Sequence, residues 1–354
     1  MKTRKRRRLS LCLVSIAGAA IPGIACTPPE DRAPPAVSSE VSTLYAPHGE
    51  AGNFFVPWGT FNTGVLDVLR WRFSRNPYDK SRPLEIPRVE NDGADLVGVE
   101  GSSAITWVGH ATFVIHDGDD VALTDPHFGR RAGLPNRRSA PGIPIDSIPP
   151  DAFAVISHNN YDHLDRYTVE NLPQTVEWYV PIGLGDWFRD RGRSRVTELD
   201  WWESTHRGRW TITCLPSQHW SRRLEQRMNS TLWCSWLLDS GETRYYFAGD
   251  TGYFHGFAEY GRRFTPIDVA LLPIGAYEPR WFMRYQHMDP AEAYRAFLDL
   301  GARFMLPMHW GTFDLTDEPV DLPPRVFRQV ISDAGEDPQR TPILAIGERW
   351  VLPD

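Results

Sequence analysis

The chain has 354 residues, of which 41% are hydrophobic and 23% are charged, and its formal net charge is −7. These values are typical of globular proteins and exclude a disordered chain, a coiled coil or a fibrous repeat. The acidic balance also argues against nucleic acid as a partner, because nucleic-acid binding depends on a basic surface.

Residues 1–25 predict a bacterial export signal. Six basic side chains precede the apolar run 9–21, which is too short to span a bilayer and ends in small residues. Cys26 follows directly, at a position that resembles the lipidated cysteine of bacterial lipoproteins. Ordinary signal-peptidase cleavage and a twin-arginine signal at residues 6–9 stay open as alternatives. We therefore expect an exported protein, either in the periplasm or held at the membrane of a bacterial envelope through Cys26.

Residues 26–50 predict a proline-rich tether, and residues 51–354 predict one folded domain. Five prolines among small and polar residues cannot bury enough apolar surface to fold: Pro28, Pro29, Pro34, Pro35 and Pro47. Removal of the export signal leaves 32 basic against 45 acidic side chains. The mature chain should therefore offer little general attraction to anionic lipid.

Short apolar or β-branched runs bounded by Gly, Pro, Asn and Asp predict strands. In chain order these are Ala104–Val108, Thr112–His116, Val121–Thr124, Ala152–Ser157, Trp210–Leu215, Arg244–Ala248, Val269–Pro273 and Ile343–Ile346. The aromatic residues between positions 54 and 73 are predicted to pack on the domain, with an apolar entrance for lipid chains as the alternative.

Two helices are indicated near the C-terminus. Asp289, Pro290 and Glu292 have the spacing of an N-cap, a first helical residue and the acid of a capping box, and Gly301 should end this helix. A second helix is predicted from Pro324 to about Ala334. Helices mixed with strands predict an α/β sandwich.

Residues that can bind a metal are concentrated in the segment 157–165, which follows a predicted strand. His158, Asp162 and His163 offer imidazole nitrogen and carboxylate oxygen, the ligands that a divalent cation such as zinc prefers. Further candidate ligands each lie in a loop after a strand: His219, Asp250 and His309. Together these residues predict a metal site.

The same segments resemble those of the metallo-β-lactamase-fold hydrolases, and most closely those of the N-acylphosphatidylethanolamine-hydrolysing phospholipase D family. The resemblance extends from about residue 71 to the C-terminal region. It is carried by residues 106–112, 123–126, 158–165, 198–203, 216–220, 247–253, 273–283, 286–290 and 309–313. The stretch 273–283, Pro-Ile-Gly-Ala-Tyr-Glu-Pro-Arg-Trp-Phe-Met, is more specific than the metal motif, which many hydrolases share.

The resemblance implies a single-domain, four-layer αββα sandwich with two zinc ions at one edge. It implies that His158 and His219 bind the first ion, that Asp162, His163 and His309 bind the second, and that Asp250 bridges the two. Asn160 stands where the family usually has another histidine ligand of the first ion. A one-ion or mixed-metal site therefore stays open, with Asn160 as a weak ligand and His127 as a candidate substitute.

Four residues are expected to act around the ions. Asp162 should orient the attacking water, and the resemblance implies that His287 contacts the phosphate or assists the leaving group. The alternative for His287 is to bond the start of the helix at residue 289. His110 either orients a metal ligand or is structural, and Asp125 either orients ligands or caps a turn.

The resemblance implies hydrolysis of N-acylphosphatidylethanolamine to N-acylethanolamine and phosphatidic acid, with hydroxide that the metal ions generate from water. The expected partners are therefore a phospholipid substrate and, through the lipid anchor, a membrane. Two alternatives stay open: a lactonase or phosphodiesterase acting on a soluble molecule, and a non-catalytic envelope lipoprotein with a weakened metal site. The sequence does not predict an oligomeric state.

Overall fold

The computed structural model describes residues 37–60, 64–96 and 103–353. The export signal, Cys26 and residues 27–36 lie outside these ranges. The strands are β1 Gly49–Glu50, β2 Asn53–Phe54, β3 Ala104–Gly109, β4 Thr112–Asp117, β5 Asp120–Thr124, β6 Phe153–Val155, β7 Glu177–Pro181, β8 Val196–Leu199, β9 Ser204–Arg207, β10 Trp210–Leu215, β11 Ser235–Asp239, β12 Arg244–Phe247, β13 Val269–Pro273, β14 Phe304–Met308 and β15 Arg349–Val351. The helices are α1 Val65–Phe73, α2 Arg166–Asn171, α3 Gly185–Arg189, α4 Gly256–Phe264, α5 Arg280–Met283, α6 Pro290–Leu300 and α7 Pro323–Ala334.

Two large sheets form the centre of the domain. The seven-stranded sheet has the order β15-β3-β4-β5-β6-β7-β8, and the six-stranded sheet has the order β14-β13-β12-β11-β10-β9. Each sheet has an antiparallel part and a parallel part. The parallel part is β5–β8 in the seven-stranded sheet and β12–β14 in the six-stranded sheet. Because parallel neighbours need a crossover, α2 and α3 connect β6 through β8, while α4 to α6 connect β12 through β14.

Successive side chains along the strands of the seven-stranded sheet point to opposite faces and pack in two different core clusters. Ile105 and Ile115 lie in the large core cluster that also contains residues of the six-stranded sheet and of α4, α6 and α7. Val114 and Trp178 lie in a second cluster with residues of α2 and α3. The order of layers is therefore helices, seven-stranded sheet, six-stranded sheet and helices, which confirms the predicted four-layer αββα architecture.

The two predicted C-terminal helices form as their end signals indicate. Asp289 accepts hydrogen bonds from the backbone N–H groups of Ala291 and Glu292, and the carboxylate of Glu292 completes the capping box. Gly301 ends α6 in the left-handed conformation with φ of 61°, and Gly335 ends α7 with φ of 64°. These glycines adopt a φ that most other residues avoid.

One predicted strand is wrong, and several strands were not predicted. Residues 343–346 form no strand, whereas Arg349–Val351, three residues further on, pairs with β3. Strands β8 and β9 carry Glu, Ser, Thr and Arg side chains that are partly exposed, so the apolar signal is weak. Strand β14 is buried throughout but contains Pro307, which weakens a strand prediction.

Residues 37–50 were predicted as part of the tether, and the structure differs: they pack on the domain. Leu44 is buried in the large core cluster, and its carbonyl oxygen accepts a 2.8 Å hydrogen bond from Nε1 of Trp202. The ring of Tyr45 stacks on Trp202 with centroids 4.4 Å apart. Contact with the domain begins no later than residue 37, which pairs with Gly59 in an isolated antiparallel bridge, and Leu44 is the apolar side chain that is buried.

The aromatic residues between 54 and 73 do not share one role. Trp58 is buried and donates a 3.0 Å hydrogen bond from Nε1 to Oε1 of Gln218. Phe73, at the end of α1, is 86% exposed. Packing on the domain is therefore the role of Trp58 but not of Phe73.

Within the described ranges, no helix combines the length and the apolar character that crossing a membrane requires.

Candidate metal centre

The predicted metal-site residues meet at one edge of the sandwich, and all of them except His287 lie in loops that follow strands. Residues from the seven-stranded sheet follow β3, β5 and β6, and are His110, Asp125, His158, Asn160, Asp162 and His163. Residues from the six-stranded sheet follow β10, β12 and β14, and are His219, Asp250 and His309, with His287 between α5 and α6. The strands before these loops are parallel within each sheet, so their carboxyl ends lie at the same edge.

Asp250 lies at the centre of this group. Its Oδ2 atom is 3.1 Å from Nε2 of His163, 3.8 Å from Nε2 of His219 and 4.0 Å from Nε2 of His158. Its Oδ1 atom is 3.1 Å from Nε2 of His309. One carboxylate therefore faces imidazoles from both sheets, which is the arrangement that a bridging ligand requires.

Asp162 forms a second centre next to Asp250. Its Oδ2 atom is 3.0 Å from Nε2 of His110, 3.3 Å from Nε2 of His163 and 3.4 Å from Nε2 of His309. The Nε2 atoms of His163 and His309 are themselves 3.2 Å apart. Two nitrogens at this distance cannot both present lone pairs without a proton or a cation between them.

The histidines and aspartates of the centre have the ligand atoms and the spacing that a divalent cation requires. Among the described residues, four overlapping sets have ligand atoms within 4.8 Å of one another: His110, Asp162, His163 and His309; Asp125, His158 and His163; His158, His219 and Asp250; Asp250, His287 and His309. Nε2 of His158 is buried and has no hydrogen-bond partner. A buried nitrogen of this kind is costly unless a ligand satisfies it, and imidazole and carboxylate are suitable donors for zinc.

Asn160 lies beside the first of the two implied metal positions, the one formed by His158, His219 and Asp250. Its Nδ2 atom is 3.5 Å from Nε2 of His219, and its Oδ1 atom accepts a 3.2 Å hydrogen bond from the backbone N–H of Arg222. The amide oxygen, its only metal-binding atom, is therefore engaged with the backbone. The second position, formed by Asp162, His163, His309 and Asp250, has all its implied ligands together.

The backbone at the site is conformationally unusual. His110, Asp125 and His309 adopt positive φ angles of 57°, 34° and 66°. The backbone N–H of His309 donates a 3.1 Å hydrogen bond to the carbonyl oxygen of His110, which joins two of these positions. Such conformations cost energy in residues other than glycine, and they persist where the surrounding structure holds a functional geometry.

Hydrogen bonds on the far side of the rings fix the candidate ligands. Nδ1 of His163 lies 2.6 Å from Oδ2 of Asp125, and Nδ1 of His158 lies 2.8 Å from Oγ of Ser157. Nδ1 of His219 lies 3.0 Å from the carbonyl oxygen of Gln286. Each contact leaves Nε2 directed at the carboxylates, as in metal sites whose ligands are oriented by outer partners.

Burial and charge set opposite pKa shifts in the site. Burial lowers the pKa of His219 to about 4 and that of His287 to about 3, so both rings are neutral at neutral pH. Burial also opposes the charged form of His309, but the adjacent Asp250 and Asp162 carboxylates raise its pKa to about 9. Without a cation, a proton on His309 therefore balances the carboxylate charge.

The carboxylates respond in the opposite sense. Burial alone would raise their pKa values, yet the facing imidazoles, chiefly that of His163, hold the pKa of Asp162 and of Asp250 well below the usual range. Both groups are therefore anionic at neutral pH. Two buried carboxylates create a strong demand for positive charge, and without a cation the imidazoles of His163 and His309 meet it, because both have raised pKa values.

The positions of His287 and His127 bear on two alternatives from the sequence: that His287 bonds the start of α6, and that His127 substitutes as a metal ligand. Nδ1 of His287 is 3.9 Å from Oδ2 of Asp250, so its ring faces the centre and not the start of α6. His127 is buried with its Nδ1 atom 3.7 Å from Asp165, and it belongs to none of the metal-binding sets among the described residues. His127 is therefore not a substitute ligand in this arrangement.

Arg280 is a further residue near the site that the sequence analysis did not single out. It donates a 3.0 Å hydrogen bond from Nη1 to the carbonyl oxygen of His287 and a 2.6 Å bond from Nη2 to Glu292. It thereby connects the loop of His287 to the first turn of α6. The sequence pointed to Arg280 only through its place in the segment 273–283, which carries the family resemblance, because no spacing rule relates it to His287.

Known proteins of one superfamily are similar to this chain. Residues 122–310, more than half of the chain, match a family described as the beta-lactamase superfamily domain. The chain is 37% identical over 308 residues to N-acyl-phosphatidylethanolamine-hydrolyzing phospholipase D 1 of Caenorhabditis elegans, with 81% of this chain and 86% of the relative covered. It is 34% identical over 227 residues to the mitochondrial enzyme of the same name from Saccharomyces cerevisiae, with 60% and 48% covered.

Solved structures show the same fold at low sequence identity. Igni18, a metallo hydrolase of Ignicoccus hospitalis, superposes with a TM-score of 0.54 at 18% identity, over 72% of this chain and 100% of that chain. An isothiocyanate hydrolase from Delia radicum gut bacteria superposes with a TM-score of 0.57 at 19% identity, over 70% and 98%. The chain therefore belongs to the beta-lactamase superfamily, as a metallo-β-lactamase-fold hydrolase related to the N-acyl-phosphatidylethanolamine-hydrolysing phospholipases D.

Proposed function

We propose that this hydrolase cleaves the phosphodiester bond of N-acylphosphatidylethanolamine and releases N-acylethanolamine and phosphatidic acid. The observation that carries the proposal is the convergence of Asp162, His163 and His309 on Asp250 in a chain 37% identical to a phospholipase named for this substrate. The ion is proposed to be zinc, because the ligand atoms are imidazole nitrogens and carboxylate oxygens.

The two positions are proposed to differ in affinity. Asp162, His163, His309 and Asp250 would hold the stronger ion, while the weaker would be held by His158, His219 and Asp250 with little help from Asn160. Bound divalent ions lower the pKa of water to about 7 and polarise the phosphoryl oxygen. Asp250 faces imidazoles of both positions, so its carboxylate would be a ligand in each.

The remaining steps are assigned to side chains of this chain. Asp162 orients the attacking water through its second carboxylate oxygen, while His110 holds the first at 3.0 Å. His287 is neutral, because burial lowers its pKa to about 3, and its ring borders Asp250. Its neutral ring can donate an N–H hydrogen bond, through which it would contact the phosphodiester and stabilise the negative charge that develops as the ethanolamine oxygen departs.

The place of the enzyme is proposed to be the bacterial envelope. The leader begins with basic residues, continues with an apolar run and ends in small residues directly before Cys26, and this pattern supports export and lipidation. A lipid anchor at Cys26 would hold the domain beside phospholipid.

The test is an assay with mixed micelles of N-acylphosphatidylethanolamine, with zinc content measured on the same preparation. We expect N-acylethanolamine as product from the wild type, and a loss of more than about a thousandfold in Asp250→Asn. Turnover of lactones or soluble diesters alone would favour the soluble-substrate alternative. Purified protein without bound metal and without turnover would contradict the enzyme assignment and support the non-catalytic lipoprotein.

A further inference from the structure

Two surface loops next to the metal centre each present a leucine to solvent at the tip. Leu134 is 93% exposed in the segment 129–138, which we call the Leu134 loop. Leu224 is 91% exposed in the segment 221–229, which we call the Leu224 loop. Single exposed leucines are common on protein surfaces, whereas exposed leucines grouped beside one site indicate an interaction surface.

The Leu134 loop is a narrow, hydrogen-bonded hairpin. The backbone N–H of Ala132 donates a 3.0 Å bond to the carbonyl oxygen of Pro135, and Arg137 N–H donates a 2.9 Å bond to the carbonyl oxygen of Arg130. Residues 131 and 136 pair as an antiparallel bridge. Leu134 is therefore held at the tip of an ordered projection.

The Leu224 loop is closed in a similar way. The backbone N–H of Asn229 donates a 2.8 Å bond to the carbonyl oxygen of Ser221, and a turn bond of 3.2 Å joins Gln226 to Arg223. Arg223, buried beneath the tip, donates a 2.5 Å hydrogen bond to the carbonyl oxygen of Asn159. The loop is thereby fastened to the segment that carries His158 and Asp162.

Both loops meet at Tyr161, between Asn160 and Asp162. A Cβ atom at Gly133 would lie 3.3 Å from the ring of Tyr161, so the Leu134 loop packs directly on it. The hydroxyl of Tyr161 accepts a 3.2 Å hydrogen bond from the backbone N–H of Leu224 and donates a 3.0 Å bond to Glu225. The two exposed leucines thus flank one side chain of the metal-binding segment.

The two loops are basic in an acidic protein. The whole chain has a net charge of −7, but residues 129–138 contain four arginines and no acid, and residues 221–229 contain three arginines and one acid. Five of these arginines are exposed: Arg130, Arg131, Arg138, Arg222 and Arg227. Arg138 is paired with Asp314 at 2.9 Å, which leaves the other four for the test below. Apolar tips surrounded by arginines are complementary to a phospholipid surface with anionic head groups, where the leucines enter the interface and the arginines meet phosphate.

We propose that the Leu134 and Leu224 loops form a docking surface for an anionic phospholipid bilayer, which delivers lipid to the adjacent metal centre. The inference rests on the proposed function for its purpose, but bilayer binding is measured without any turnover. It differs from the expectation that an acidic mature chain has little general attraction to anionic lipid, because the positive charge is concentrated in these two loops.

The experiment is co-sedimentation with vesicles of phosphatidylcholine, with and without phosphatidylglycerol. Every variant carries Cys26→Ser, so that an acyl chain at this cysteine contributes to none of them. The test variants are Leu134→Glu with Leu224→Glu, and Arg130→Gln with Arg131→Gln, Arg222→Gln and Arg227→Gln. The matched control is Leu66→Glu with Phe73→Glu on α1, where the two residues are 80% and 86% exposed.

We expect the leucine variant to lose binding to both kinds of vesicle by about tenfold or more. The arginine variant should lose binding to anionic vesicles by roughly fivefold per arginine, with little change for neutral ones. Asp250→Asn should bind vesicles as the wild type does. If the protein with the native metal site binds vesicles normally but does not hydrolyse the phospholipid, the proposed function is contradicted and the docking surface is not.

Three results would overturn the docking surface. The first is unchanged vesicle binding in both loop variants. The second is loss of binding in the α1 control alone, which would assign the membrane contact to α1. The third is a change from oligomer to monomer in the leucine variant, measured by sedimentation velocity, which would make a second copy of the chain the occupant of this surface.

Discussion

The imidazole of His163 has the carboxylates of Asp162 and Asp250 on one side and that of Asp125 on the other. Its Nδ1 atom is 2.6 Å from Oδ2 of the fully buried Asp125. The same carboxylate accepts hydrogen bonds from the backbone N–H and the hydroxyl of Ser157, at 2.6 and 2.5 Å. Asp125 therefore orients His163 directly and His158 through Ser157, so a residue that contacts neither proposed ion influences both positions.

Replacement of Asp125 by alanine should weaken metal binding by about ten- to a hundredfold, because the ring of His163 loses its outer partner. The measurement is competition with a chromogenic chelator, with circular dichroism to verify folding. Asp186→Ala is the matched control, since the side chain of Asp186 is 91% exposed. Equal metal affinity in Asp125→Ala and in the wild type would contradict the orienting role.

Asn160→His should strengthen the first metal position. The new imidazole would lie near Nε2 of His219, where the amide nitrogen of Asn160 is now 3.5 Å away. We expect zinc content to rise from about one ion per chain toward two, measured by atomic emission at a limiting zinc concentration. Asn159→His is a useful comparison, because Asn159 is buried and bonded to Gln226. An unchanged ratio of zinc to protein would show that Asn160 does not limit this position.

His287→Gln should lower kcat by about a hundredfold while the zinc content stays the same, because the ring contributes to catalysis and not to binding of the ion. Steady-state kinetics and metal analysis on the same sample test this. His206→Gln serves as control, since His206 lies on β9, away from the metal-binding sets of the described residues. Loss of metal in His287→Gln would instead identify His287 as a ligand.

Leu44→Ala should lower the free energy of unfolding by about 2–5 kcal/mol, because Leu44 is only 1% exposed and its removal leaves a cavity in the large core cluster. Leu66→Ala, at a position that is 80% exposed, should change it by less than about 0.5 kcal/mol. Urea denaturation measures both. Equal stability of the two variants would mean that residues 37–50 do not contribute to the core in solution.

Asp321→Asn should destabilise the protein at neutral pH but not in acid. Burial raises the pKa of Asp321, but hydrogen bonds from Arg82 at 2.7 and 2.8 Å outweigh this and lower it below the ordinary value. A carboxyl group whose pKa is lower in the folded state stabilises the protein above its unfolded pKa, and this stabilisation is lost as the pH falls through the folded value. The difference in thermal midpoint between the two proteins should therefore be full at pH 6 and shrink below about pH 4. A difference that is independent of pH would contradict the ion pair.

Local rules predicted the elements that have local causes. The capping box at Asp289 and the terminating Gly301 define α6 within a few residues, and the cluster from His158 to His163 indicates a metal-binding loop after a strand. Strand β15 could not be predicted in this way. Its three residues are partly exposed, and it exists because residues 349–351 reach β3, more than 240 residues earlier in the chain.

In the site too, features with a local signal in the sequence were predicted, and features that depend on contacts between distant segments were not. The candidate ligands were identified by residue type and by a family resemblance, but their common centre on Asp250 depends on how two sheets stack. Arg280 and the two basic loops escaped prediction because their significance is spatial: Arg280 acts on His287 through a backbone carbonyl, and the loops are brought together only by Tyr161.

The centre is assembled from both sheets, with His163 and Asp162 from one and Asp250 and His309 from the other. A cation bound there would link the two sheets of the sandwich, so metal binding would be thermodynamically coupled to folding of the core between them. A hundredfold excess of free metal over its dissociation constant would add about 2.7 kcal/mol to the stability of the fold. Starvation for metal would then lower the stability of the fold itself, and degradation of the protein by proteases would follow the supply of the ion.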